Sequence, residues 1–170
     1  GEAARQEGRS ADAIRIWRPV ANGLDRLYHT KASLALANLE LTEGIIDLRE
    51  AIDRIDSLRF AWRGDGLEVQ ILHNLGQLRV KNGQYLDGLG DMRRAMNLAD
   101  SLLADTDVIR ADMSRVVSDV FVGGKAADIA PLEAIALYSA YGNLLPTGQE
   151  GSVATLNFAD FLIRVDLLEK

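Results

Sequence analysis

Cysteine is absent, proline occurs three times and lysine only four times in a chain of 170 residues. The first absence excludes disulfide staples and thiolate metal centres. The scarcity of proline leaves long stretches in which a helix meets no breaker. Lysine at positions 31, 81, 125 and 170 stands against fifteen arginines. That skew reads as the coding bias of a GC-rich, bacterial genome, the alternative being arginine chosen for surface ion pairs. Positive charge is also short overall: 19 Lys and Arg against 25 Asp and Glu leave a net charge of −6. Neutralising phosphates needs clustered cations, so a nucleic-acid partner is not expected. No apolar stretch approaches the roughly 18 residues of a membrane span, so no membrane is expected as a partner of this segment. What remains is 48% hydrophobic residues, enough for one domain with a sizeable core.

The ends are uninformative about compartment. Gly1 is followed by the helix formers Ala3, Ala4, Arg5, Gln6 and Glu7, without the charged and apolar regions of a signal peptide. Phe158 to Lys170 stays apolar-periodic almost to the last residue. The chain therefore reads as a piece of a longer protein, and its localisation stays unassigned.

Apolar residues recur at intervals of three and four throughout, the period of helices. Ser10 is expected to cap a first helix reaching Ala21, with Ala13, Ile14, Trp17 and Val20 on one face and Pro19 able to kink or shorten it. A second helix over Asp25–Glu43 is apolar on two faces, Ala32/Leu36/Leu39 and Leu34/Ala37/Leu41, and so is expected between two neighbours. Asp47 and Glu50 begin a third, ending near Trp62. Further helices are expected over Leu67–Asn82, Tyr85–Ser101, from Asp105 or Thr106 to Gly123, from Pro131 to Gly142, and over Glu150–Val165. About eight helices on short turns imply antiparallel neighbours, paired over about 1–22, 25–62, 66–101, 105–142 and an incomplete 148–170.

One stretch carries a repeat rhythm: Leu72, Leu75-Gly76, Gly83-x-Tyr85, Gly88, Met92 and Ala95. It resembles the tetratricopeptide repeat, with its large residue, Leu-Gly pair, Gly-x-Tyr turn and alternation of small and bulky positions. Arg79 stands where that family usually has an aromatic, and Asp100 where it has proline. The spacing has a physical cause, because helices cross closely only where small side chains let their backbones approach. Gly8, Ala13, Trp17 and Val20 repeat Gly83, Gly88, Met92 and Ala95 at a constant offset, and Phe158-Ala159 repeats Leu75-Gly76. Between these copies the signature fades, and the pair starts at Asp25, Leu67 and Asp105 are spaced more widely than the family's usual period. The resemblance implies an all-α, right-handed solenoid of antiparallel pairs in one domain over 1–170, other helical repeats or a closed bundle being the rivals.

Chemistry is sparse. His29 and His73 form no ligand pair, so no metal and no cofactor is expected. Gly123-Gly124-Lys125 lacks the first glycine, the Ser or Thr and the preceding strand of a phosphate loop, and reads as a turn. Gly88-x-Gly90 lacks the third glycine of a dinucleotide fingerprint, and Asp105-x-Asp107 lacks the rest of a calcium loop. Trp17, Phe60 and Trp62 are either ligand anchors or core residues. The resemblance implies that the first helix of the best repeat lines a concave groove, which places Gln70, His73, Gln77 and Lys81 on a peptide-binding side; the alternative is a solvated polar face. His73 and Gln77 occupy positions comparable to those where some family members clamp a peptide's terminal carboxylate with Lys and Asn, so that activity is not expected. With no convergent titratable set, no catalytic residue and no enzyme activity is expected. The expected role is a protein-interaction scaffold for a protein or peptide partner. The alternatives are a structural segment of a larger repeat protein, self-associating through its truncated ends, or a peptide-sensing regulatory module.

Overall fold

The computed structural model describes the backbone of residues 2–168 and the side chains of residues 8–164. Gly1, Glu169 and Lys170, at the outer limits of the first and last expected helix pairs, lie outside the described residues. The described chain is all-α, with eight α-helices, two short 3-10 turns and no strand among the described residues. It divides into two compact units, Gly1–Ala104 and Asp105–Lys170, where the sequence reads as one domain over 1–170.

The first unit holds α1 (Glu2–Ala21), α2 (Arg26–Thr42), α3 (Leu48–Ala61), α4 (Gly66–Lys81) and α5 (Tyr85–Ser101), each packed on the next. Ser10 does not cap α1: the helix formers before it carry the helix back to Glu2, and Ser10 lies inside. Pro19 sits in the last turn, where the helix ends at Ala21 as the Asn22-Gly23 stop requires. Aspartates open the next three helices. Asp25 accepts from the Leu27 and Tyr28 amides, Asp47 from Glu50 at 2.8 Å, and Asp65 from Leu67 and Glu68. Each satisfies amides that a helix start leaves orphaned, a contribution of about 1 kcal/mol.

Three helices end on one hydrogen-bond pattern. After α2, Gly44 donates to the Leu41 carbonyl and Ile45 to the Glu40 carbonyl; after α4, Gly83 donates to Val80 and Gln84 to Arg79. After α5, Leu103 donates to Asp100 and Ala104 to Ala99. The pattern needs a left-handed residue, supplied by Gly44 (φ 69°), Gly83 (φ 80°) and, without glycine, Leu103 (φ 55°).

Helix α2 uses both its apolar faces. Ala32 and Leu36 pack with Ile14 and Ala21 of α1. Ala37, Leu34 and Leu41 pack into a second cluster with Ile52, Ile55, Ile71 and Leu75 of α3 and α4. Between α4 and α5 the backbones themselves meet. A Cβ on Gly76 would lie 2.7 Å from the Gly88 carbonyl oxygen, and a Cβ on Gly88 would lie 2.7 Å from the Gly76 oxygen.

The second unit holds α6 (Asp107–Phe121), α7 (Pro131–Tyr141) and α8 (Gln149–Leu168), the last running past Val165. Its centre is aromatic. Tyr138 stacks on Phe158 at 4.1 Å, and Phe121 meets both edge-on at 5.2 and 5.5 Å. Asn157 of α8 donates to the Phe121 carbonyl at 3.0 Å, satisfying an orphan acceptor at the end of α6.

Candidate functional site

Gln70, His73, Gln77 and Lys81 recur along α4 at helical spacing. Gln70, Gln77 and Lys81 are exposed and His73 is half-buried, its burial pushing the imidazole below its usual range. Leu72, Leu75, Gly76, Gly88, Met92 and Ala95 are buried, while Tyr85 is half-buried and Gly83 lies exposed in the turn. The aromatics divide differently. Trp17 is 36% exposed and so is not a core residue, whereas Met92 is 1% exposed, its side chain against Gly76 of α4. Trp62 packs against the α2–α4 core and donates its indole N–H to Asp65 at 2.7 Å, while Phe60 is 72% exposed.

Two buried carboxylates are held by arginines of neighbouring helices. Glu40 of α2, almost fully buried, takes Arg18 of α1 on one oxygen and Arg54 of α3 on the other, both at 2.6 Å. Burial raises the Glu40 carboxyl, and the two guanidiniums outweigh it, leaving the pKa below the usual glutamate value. Asp91 of α5 is 1% exposed. Arg79 of α4 donates to its Oδ2, while Arg59 of α3 and Arg94 of α5 approach Oδ1 at 3.6 and 3.3 Å. Arg59 and Arg79 also reach Asp56 at 2.5 and 3.2 Å. Arg79 therefore joins α4 to carboxylates on α3 and α5.

Beside this network lies a cleft of about 460 Å³ lined by Arg59, Phe60, Arg63, Glu68, Leu72, Arg94 and Leu98. None of Gln70, His73, Gln77 or Lys81 lines it. On α4, Glu68 and Leu72 stand across the helix from that polar stripe. Residues Arg59, Arg63 and Arg94 escaped the sequence reading because they come from two distant segments; the four-residue step from Arg59 to Arg63 is the one local signal.

Among the described residues no group of three or more His, Cys, Asp or Glu stands together as metal ligands, and no helix is long and apolar enough to cross a membrane. Gly123-Gly124-Lys125 is a turn, with Gly124 at φ 82° and the Lys125 ammonium 3.6 Å from Asp119. No family model, no curated protein and no solved structure matches the chain.

Proposed function

We propose that the chain is a non-enzymatic interaction scaffold whose helix pairs stack in the manner of tetratricopeptide repeats and hold a protein or peptide partner. The observation that carries this is the α4–α5 pair: Gly76 and Gly88 in backbone contact, Met92 and Ala95 buried beside them, and a left-handed Gly83 in the turn. The order of packing supports it, since α1 to α5 each pack on the next in sequence. A helix pair cannot cover its own apolar faces, so successive pairs bury them against each other. Partner contact through Gln70, His73, Gln77 and Lys81 follows from the repeat register. The test is recovery of cross-linked partners by the chain and by its Gln70→Ala, His73→Ala, Gln77→Ala triple variant. Loss of recovery in the variant supports the groove, and equal recovery rejects it.

A second reading, a structural segment that associates through uncovered helix faces, has its own observation. Trp17 and Val20 of α1 and Tyr28 of α2 border one open apolar surface of the first unit. By register Trp17 and Val20 match Met92 and Ala95, both buried, with Met92 against Gly76 of α4. Light scattering separates the readings: a mass that grows with concentration and drops to monomer in Trp17→Glu supports association, and a monomer at high concentration rejects it.

A further inference from the structure

The arginine cleft lies where the end of α3, the first half of α4 and the second half of α5 meet, and its chemistry is divided. One part is apolar: Leu72, Leu98 and the open ring of Phe60. The other is guanidinium. Arg59 and Arg94 are oriented by the buried Asp91, and Arg63 is held through its Nε, which donates to the Arg59 carbonyl at 3.1 Å. Charge does not cancel there. The four guanidiniums of Arg59, Arg63, Arg79 and Arg94 outnumber the three carboxylates of Asp56, Glu68 and Asp91 in and beside the cleft, a surplus of one cation in a chain of net charge −6. Glu68 is already engaged, its Oε2 accepting from the Gly64 amide. Arg63 lines the cleft and pairs with no carboxylate among the described residues.

We propose that this cleft binds an acidic peptide segment, with its carboxylates on Arg63 and Arg94 and an adjacent large apolar side chain on Leu72, Leu98 and Phe60. Arg94, fixed by the buried Asp91, and Arg63, held through its Nε, are pre-organised donors for a further carboxylate, which a planar fork can engage with two parallel bonds. The volume of about 460 Å³ lies within the usual range of ligand pockets. A surplus of one cation suits a segment with one or two acids. A nucleic acid brings a run of phosphates, which a chain of net charge −6 repels beyond the cleft. The site stands across α4 from the Gln70–Lys81 stripe, so it does not depend on the groove of the scaffold reading.

The experiment is an array of short peptides that places each acid beside each large apolar residue, together with amide counterparts (Gln for Glu, Asn for Asp) and acidic peptides lacking the apolar residue. The whole chain, its Arg63→Gln and Phe60→Ala variants and the Gln70/His73/Gln77→Ala triple variant are applied. Hits are then measured by fluorescence anisotropy at two salt concentrations, with a single-stranded oligonucleotide of equal charge as competitor. Arg63 and Phe60 are open to solvent, and matching thermal melts confirm that their variants fold. Acidic–apolar peptides should bind the chain and lose affinity in high salt. Binding should weaken roughly tenfold in Arg63→Gln, the loss of one charge-assisted contact, should weaken in Phe60→Ala, and should persist in the triple variant. The proposal is overturned by no enrichment of acidic–apolar peptides over their amide counterparts, by full affinity in Arg63→Gln, or by tighter binding of the oligonucleotide than of any peptide. Loss in the triple variant alone transfers binding to the groove and also overturns it.

Discussion

Gly76 of α4 and Gly88 of α5 stand backbone to backbone, each with the other's carbonyl oxygen 2.7 Å from where a Cβ would be. Such a contact inverts the usual effect of glycine in a helix. Replacing an interior glycine by alanine ordinarily stabilises, by about 0.5–1 kcal/mol, because the unfolded chain loses freedom. At Gly76 and Gly88 the added methyl meets main chain, which cannot move aside without separating the helices. Gly76→Ala and Gly88→Ala should each destabilise by about 1–3 kcal/mol. Gly90 lies in the same α5 with nothing within 4 Å of its Cβ position, and Gly90→Ala should stabilise. Urea midpoints of the three variants check this, and a stabilised Gly76→Ala would show that the two helices do not approach so closely.

Glu40 links three helices through two guanidiniums, and its contribution to stability has a pH signature. Its carboxyl is held below the ordinary value of 4.5, so the folded state binds the proton less readily than the unfolded one. The stability it supplies is complete above about pH 4.5 and is lost as the pH falls through the lower folded value. At pH 7, Glu40→Gln should cost about 2 kcal/mol, less than a fully buried pair because Arg18 and Arg54 are half exposed. The gap between wild type and Glu40→Gln should close as the pH drops from 5 towards 3. A gap independent of pH would mean that Glu40 acts through packing alone.

The helices were legible because their signals are local. Asp25 and Asp47 stand at helix starts where an aspartate before an apolar period should, and the limits Tyr85 and Ser101 follow from Gly83 and from periodicity. What failed depends on neighbours distant in sequence. The apolar period around Trp17 marks a face and not what covers it, so a position equivalent to Met92 emerged 36% exposed. Ser10 has a capping side chain, yet the residues before it are as helical as those after. The break between the two units, at Ala104 and Asp105, follows a turn in which Leu103 adopts a glycine's conformation without being one, so no Gly or Pro announced it. The arginine excess also reads differently beside the structure. Arg54 bridges Glu40 and Glu50, and Arg79 bridges Asp56 and Asp91, a two-ended contact that a lysine ammonium does not reproduce.

Leu103 offers a test of backbone strain. It closes α5 as Gly44 and Gly83 close α2 and α4, at φ 55°, with its side chain 96% exposed. A left-handed conformation costs an L-residue with a Cβ about 1–2 kcal/mol, and the exposed side chain gives nothing back. Leu103→Gly should therefore raise stability by roughly 0.5–1 kcal/mol, part of the relief being offset by the freer unfolded chain. Thermal melts of the variant against wild type measure it. A lowered midpoint would mean that Leu103 is not held left-handed in solution.

The Asp91 network predicts strong coupling between helices α4 and α5. Asp91→Asn leaves Arg59, Arg79 and Arg94 around a neutral side chain with Asp56 as the remaining acid, and should cost about 2–4 kcal/mol. Arg79→Met alone leaves Asp91 with two guanidiniums, so the carboxylate keeps partners and the loss should be smaller. Once Asp91 is neutral, Arg79 has lost its buried partner, and its removal should cost little more. The double variant should therefore be at least 1 kcal/mol more stable than the sum of the single losses. Denaturant titration of the four proteins closes the cycle. Additive losses would show that Arg79 and Asp91 stabilise their helices independently, and that the pair does not tie α4 to α5.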